Sequence, residues 1–517
     1  MSADLVIRGG TVLDGGGDEP FVADVAITGG KITAIGHAPC GRSEIDATGL
    51  YVSPGFIDIH SHSDYTLLVD PRAVSAIHQG VTLEVIGNCG FGCAPVSPTA
   101  AESIYGYNGS VPLAWQSLGG YFERLEAARP AVNVISLVPN GQLRRAVVGV
   151  ADRPADAEEL SQMKSLLAQN LDEGGWGYST GLEYPAESGA PDEEIAELCT
   201  IAARKRRLYA THVRRRDAGA ISAIDEAIRV AEKAGAQLQI SHLLPRKTDE
   251  GEDQRALELI DGAQRRGLAV AFDMHTRQHG MTFLDTLLPP WAHADRGRHL
   301  ASPESRRRMR EYQSIVAGGG WDRVVLLEHP AFPQYSHRSL GEIAREEGRD
   351  AYDIAFDILQ RDVADATRAI VLIKAYTPDQ QALVFSHPLC MPASDATTLA
   401  PDGPLAREVF HGAYTWASWY FHFMVRERRL LSAAKAVQRM TELPARTLGL
   451  KTRGRIKEGY WADIAVFDGA EFKPVGTTLE PNRLARGMRH VLVNGVPTLR
   501  DGTLTGVRAG QVIRQSC

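Results

Sequence analysis

The sequence predicts an α/β protein in which parallel β/α units fill the middle of the chain and small antiparallel β segments stand at both ends. Three observations carry this. From about residue 56 to 440, short Val- and Ile-rich runs alternate with longer helix-compatible stretches. Brief β-runs broken by Gly and Asp-Gly open and close the chain. Several of the central runs end in a polar, metal-capable residue.

Composition bounds the rest. With 517 residues, 44% of them hydrophobic, the chain can bury a large core, which excludes a disordered or fibrous protein. A formal net charge of -7 with interspersed signs offers no basic face for phosphates, so nucleic acid is not an expected partner. No apolar run approaches the roughly 18–20 residues of a membrane span, and MSADLVIRGG lacks the apolar core of a signal peptide. A cytoplasmic protein without a membrane partner is expected, with self-association into a homo-oligomer left open. Six cysteines are too sparse for a disulfide framework, so a special cysteine here would be a ligand or nucleophile.

Taken in order, residues 4–36 alternate apolar and polar residues between Gly-rich turns, the pattern of small antiparallel strands. The central runs VTLEVIG, VNVISLV, LYATHV, LQISHL, LAVAFDMH and VVLLEH read as buried strands. Between them, residues 156–174 and 222–236 space apolar residues three and four apart with charges between, as amphipathic helices covering a sheet do. About eight such units would close a barrel, although periodicity alone does not separate a barrel from a doubly wound open sheet. Residues 275–345, with HTRQHG, LLPPWAH and the basic SRRRMR run, break the pattern and are read as an insertion or lid. Residues 454–468 and 489–502 return to short β-runs, and the two terminal segments could complete one small sandwich.

The strand ends carry the chemistry. GFIDIHSHSD presents His60 and His62, which project from the same face of an extended segment and can reach one ion. Cys89 follows EVIGN, His212 ends LYATH, His242 follows LQIS, and a late acid, Asp395, stands in LCMPASDA. In a β/α barrel the C-terminal strand ends converge on one mouth, so these six residues would form a one- or two-metal centre. Taken singly, His212 and His242 could be satisfied core histidines and Cys89 a small buried hydrophobe; the joint pattern argues otherwise.

GFIDIHSHSD, GVTLEVIGNCGFGCAPV, GYSTGLEYPA, THVRRRD, ISHL, a late SDA and GYWADIAVFD together resemble the N-acyl-D-amino-acid deacylase (D-aminoacylase) family of the amidohydrolase superfamily. The resemblance implies a distorted (β/α)8 TIM barrel over residues 56–448, a small β-sandwich built from residues 1–55 and 449–517, and the inserted lid at 275–345. It also implies a tightly held zinc on Cys89, His212 and His242, with a weaker second site on His60, His62 and Asp395. A thiolate suits zinc as a soft anionic ligand at about 2.3 Å, whereas Cys93 is expected only to pack. The implied activity is zinc-dependent hydrolysis of a non-peptide C–N bond. Asp395 would act first as base toward a water and then as acid toward the leaving nitrogen.

Departures from the family cluster around substrate choice. A lysine expected soon after the second histidine is missing from SHLLPRK, which moves the nearest cations to Arg246 and Lys247. His275 replaces a tyrosine in FDMHTRQHG, the PHPR-like run is absent after SDATTL, and PNG at Asn140 replaces a GHG-like turn. Tyr184 and Arg214 persist. Tyr184, Arg214, Arg246, Lys247 and His275 are therefore the candidate substrate contacts, with a structural ion pair the plainer reading of Arg214 and core packing that of the aromatic run 414–423. Loss of the usual carboxylate clamp predicts a substrate other than a plain N-acyl-D-amino acid, such as a neutral N-acyl amide. The alternative enzyme is a cyclic amidase of the hydantoinase or dihydropyrimidinase kind, against which Cys89 speaks. A scaffold without catalysis is disfavoured by the full set of ligand-type residues.

Overall fold

The structure, a computed structural model, describes residues 2–515 apart from 98–100, 102–103, 218, 247–250, 294, 313, 315 and 366–368. The chain opens with β1 (Ala3–Val12), β2 (Phe21–Thr28), β3 (Lys31–Gly36), β4 (Gly41–Asp46) and β5 (Tyr51–Pro54). β2 turns into β3 through Gly29 and Gly30 at φ +60° and +77°, the mirror-image turn whose twist matches an antiparallel pair.

The barrel strands follow: β6 (Phe56–Asp58), β7 (Val81–Ile86), β8 (Asn133–Ser136), β9 (Val138–Pro139), β10 (Gly177–Gly181), β11 (Leu208–His212), β12 (Leu238–Ile240) and β13 (Val270–His275). After an insertion carrying β14 (His279–Phe283), β15 (Val324–Leu326) and β16 (Ile370–Lys374), the last barrel strand is β17 (Cys390–Ala393). β6, β7 and β8 form one parallel sheet, and β9 to β13 with β17 form another. β8 and β9 are one run interrupted at Leu137, and beyond β6 and β17 Ser61 bridges Ala396 in parallel. Eight strand positions thus close into a ring, distorted at these two seams. Every residue of β7, β8, β10, β11, β12 and β13 is buried, as parallel strands covered on both faces require. Helix Ala157–Asp172 starts where Asp156 and Glu159 form a reciprocal capping box, and helix Ala220–Ala234 ends at Gly235 in the left-handed region.

The insertion has its own antiparallel sheet, ordered β14-β16-β15, and a separate core that includes Leu284, Met309, Leu326, Leu340, Phe356 and Val371. It therefore runs from His279 to Lys374, past the expected end at 345, because β16 is needed to hold β14 and β15 together.

β18 (Ile464–Phe467), β19 (Met488–Val493), β20 (Val496–Arg500) and β21 (Thr503–Leu504) complete a nine-stranded sheet with β1 to β5, through antiparallel pairing of β18 on β5. Leu5, Ile7, Val25 and Ile45 from one chain end share a core with Ile464, Val466 and Leu492 from the other, the interior of the small β-sandwich. The final residues leave this sheet: Val134 N donates to Gln511 O, Ile513 N to Val134 O and Gln515 N to Gly174 O, so the tail runs beneath the barrel.

Sandwich and barrel meet at a buried polar knot. Asp463 pairs with Arg453 and accepts from the Asn494 backbone at 2.8 Å and the Asn133 amide at 3.3 Å. Asn494 in turn donates to Asn133 Oδ1 at 2.8 Å and accepts from Arg453 at 2.8 Å. Asp463→Ala would leave the buried Arg453 charge uncompensated, a loss of about 3–5 kcal/mol. A clear fall in the urea midpoint of this variant is expected; an unchanged midpoint would show that the knot does not support the fold.

Candidate metal centre and substrate pocket

The C-terminal ends of β6, β7, β11, β12 and β17 deliver His60 and His62, Cys89, His212, His242 and Asp395 to one end of the barrel. Cys89, His242 and Asp395 have φ of +53°, +37° and +44°. Such left-handed backbone costs on the order of 1–3 kcal/mol per residue and persists only where surrounding structure enforces it. Cys89 Sγ lies 3.2 Å from His60 Nε2 and 3.6 Å from His242 Nε2. Asp395 Oδ1 lies 3.5 Å from His60 Nε2 and 3.3 Å from His62 Nε2. Three overlapping sets keep their ligand atoms within 4.8 Å of one another: His60, His62 and Cys89; Cys89, His212 and His242; His60, His242 and Asp395.

Neighbouring carboxylates orient these donors. Asp273, wholly buried, accepts from His60 Nδ1 at 3.0 Å and from the His242 backbone N–H at 2.9 Å through Oδ1, and from Gln239 at 2.7 Å through Oδ2. Glu183 accepts from His212 Nε2 at 2.8 Å and is paired with Arg246. Burial holds His212 down to about 4 despite Glu183, and burial with the nearby Arg216 charge keeps His242 well below the ordinary imidazole value, so both rings are neutral. Burial alone would lower His60, but Asp273 and Cys89 keep it well above its ordinary value. Burial would raise Asp395; the hydrogen bond from His62 and the charge of Arg277 outweigh it and hold the carboxyl well below its usual range. Arg277 donates to Asp395 Oδ2 at 2.8 Å and to the Asp395 carbonyl at 2.9 Å.

The donor set fits zinc. A thiolate and imidazoles are the ligands that ion selects, and neutral rings keep a lone pair for it. Among the described residues, Nδ1 of His62, His212 and His242 are buried without a hydrogen-bond partner, an arrangement that costs free energy unless some further group meets them. Cys93 lies in the main hydrophobic core and in none of these sets.

Above the donors lies a pocket whose lining includes Tyr184, Arg246 and His275, three of the sequence-derived substrate candidates. The Tyr184 ring packs on His212 at 4.6 Å between centroids, and His275 lies beside Tyr376 at 5.4 Å. Arg214 is turned away: it pairs with Glu226 and donates to the carbonyls of Ser188 and Ala190, because the loop after β11 directs it toward the covering helix. It is held in an ion pair and is not among the residues that line the pocket. Lys247 lies outside the described residues. Tyr414, Trp416, Tyr420, Phe421 and Phe423 are core residues, as their pattern predicts.

Arg216, Arg277, Tyr376, Tyr105 and Phe410 also line the pocket and escaped the sequence reading, as did Asp273 and Glu183 behind the donors. The signals were present in THVRRRD and FDMHTR, where basic residues follow strand-end histidines directly. Three guanidinium groups, Arg216, Arg246 and Arg277, thus line the pocket, of which Arg246 was among the candidate substrate contacts. No described helix is long and apolar enough to cross a membrane.

Comparison with known proteins matches this architecture. A profile described as the amidohydrolase family covers residues 43–302 and 322–499. The N-acyl-D-aspartate deacylase of Alcaligenes xylosoxydans xylosoxydans is 33% identical over 99% of this chain and 95% of its own length. A crystal structure of D-aminoacylase superposes with a TM-score of 0.83 at 30% identity, covering 99% of this chain and 100% of that one. The N-acyl-D-glutamate deacylase of Bordetella bronchiseptica, solved with zinc and a phosphonate mimic of the tetrahedral intermediate, superposes with a TM-score of 0.81 at 29% identity, each chain covered in full (100%). With the barrel, the strand-end donors and these full-length likenesses in agreement, the chain belongs to the amidohydrolase family.

Proposed function

We propose that this protein is a zinc-dependent hydrolase of the amide bond in N-acyl-D-amino acids, with one zinc held tightly by Cys89, His212 and His242 and a weaker site on His60, His62 and Asp395. The observation that carries the reading is the convergence of these donors beside an ionised, arginine-held Asp395 at the floor of a pocket. The named relatives act on N-acyl-D-amino acids, and one was solved with zinc, which supports the substrate class and the metal.

The chemistry zinc supplies in such a site is polarisation of the amide carbonyl and acidification of water to a pKa of about 7. The residues of the chain do the rest. Arg277 occupies Asp395 Oδ2 and leaves Oδ1 toward His60 and His62, so one oxygen is fixed and the other faces the reacting atoms. Asp395 Oδ1 takes the proton of the attacking water and returns it to the amine nitrogen as the C–N bond breaks. Tyr184 and His275 border the space in which the amide lies. Asp273 and Glu183 keep His60 and His212 in single orientations, so the donors are preorganised.

Asp395→Asn is expected to lower kcat on N-acyl-D-amino acids by about 10²–10⁴-fold while the zinc on Cys89, His212 and His242 stays bound; full activity in this variant would remove Asp395 from the mechanism. A Cβ added at Gly181, the last residue of β10, would lie 2.0 Å from the Cys89 carbonyl oxygen, a contact that only displacement of the Cys89 loop relieves. Gly181→Ala should therefore purify with less than a full zinc complement by elemental analysis, and a normal complement would show that the loop tolerates the shift.

A further inference from the structure

The pocket has two chemically distinct sides. Tyr105, Phe410, Met281 and Ile373 contribute apolar surface, with Tyr105 and Phe410 packed at 5.5 Å between centroids and Tyr105 also against His62 at 4.8 Å. Arg216, Arg246, His275 and Tyr376 contribute the polar surface. The three guanidinium groups differ in how their charge is met. Arg246 is paired with Glu183, and Arg277 with Asp395. Among the described residues Arg216 donates through Nη2 only to neutral groups: the carbonyls of His242 at 2.6 Å and Leu244 at 3.4 Å, and the Tyr376 hydroxyl at 2.6 Å. Glu183, the carboxylate whose field Arg216 reaches, is already taken by Arg246 and His212.

Arg216 is 6% exposed, and its Nε–H has no hydrogen-bond partner among the described residues. A buried cation with an unmet donor and no carboxylate bonded to it among the described residues is unfavourable in the empty pocket and favourable once an anion arrives. Its position is also rigid, since the same guanidinium bonds the backbone on either side of His242's successor and the Arg216 carbonyl accepts from Arg246 N. A rigid, buried donor suits one fixed anionic group better than a flexible surface lysine would.

We infer that Arg216 anchors the free carboxylate of the substrate, so that this chain selects N-acyl amino acids over their neutral amides, with the amino-acid half toward Arg216 and the acyl half toward the Tyr105 and Phe410 side. The inference rests on the deacylase reading above and deepens it. Arg216 stands two residues beyond Arg214, in the same loop, and the two have opposite fates: one locks a helix to the barrel, the other faces the ligand.

The test compares N-acetyl-D-leucine with N-acetyl-D-leucinamide on zinc-loaded full-length protein, following release of the free amine, with zinc content measured for each variant. Wild type should prefer the acid, and Arg216→Gln, which keeps a polar side chain but removes the charge, should lose about 100-fold or more in kcat/KM on the acid while the amide loses far less. Arg216→Lys should keep much of the preference with a higher KM for the acid alone. An unchanged acid-to-amide ratio in zinc-loaded Arg216→Gln overturns the anchor and leaves the deacylase reading standing. Failure of wild type to hydrolyse any N-acyl-D-amino acid overturns both. Should Arg216→Gln fail to load zinc, Arg216→Lys decides: a KM rise confined to the acid supports the anchor, and equal rises on acid and amide overturn it.

Discussion

The metal centre hangs on Asp273. Its two carboxylate oxygens reach His60 beyond the first barrel strand, the backbone of His242 beyond the sixth and Gln239 within it, so one buried group on the seventh strand ties the first and the sixth. Without that tie the His60 ring could turn, and the left-handed backbone at His242 would lose the carboxylate that accepts its N–H. A barrel mouth brings donors near one another; fixing which nitrogen each ring offers requires such partners behind them. Glu183 performs the same service for His212, and because Glu183 also binds Arg246, ring orientation on one side of the site is coupled to the charge arrangement of the pocket.

The arrangement of charge explains why the pocket tolerates so many cations. Arg246 and Arg277 are each met by a carboxylate that also touches a donor histidine, so their charges are compensated within the protein. Arg216 alone of the three donates only to neutral groups among the described residues.

Much of this could be read from the sequence, and the residues show why. The donors were legible because strand ends are marked twice, by the apolar run before them and by the residue type at its end. Cys89 and His242 are examples. The terminal β segments were legible from their turns: Asn494-Gly495 and Asp501-Gly502 both take positive φ in two-residue hairpins. Arg214 and Arg216 mark the limit. Once a strand gives way to a loop, alternation no longer reports direction, and two arginines two residues apart point to a helix and to a cavity. The end of the insertion was misplaced for a related reason: β16 lies far along the chain from β14, and only pairing in space assigns it to the same sheet.

The sheet that joins both chain ends has a consequence for how the protein comes into being. Ser53 on β5 and Ala465 on β18 are register partners separated by 412 residues. During synthesis the first five strands emerge long before β18 exists, and the edge of β5 has no neighbour until nearly the whole chain has been made. Most barrel units between can assemble from contacts nearer in sequence, whereas the pairing of β18 on β5 carries the loop-closure cost of a distant strand pairing. Until β18 emerges a nascent chain exposes an unpaired edge of β5, and the pairing of β18 on it retires that edge.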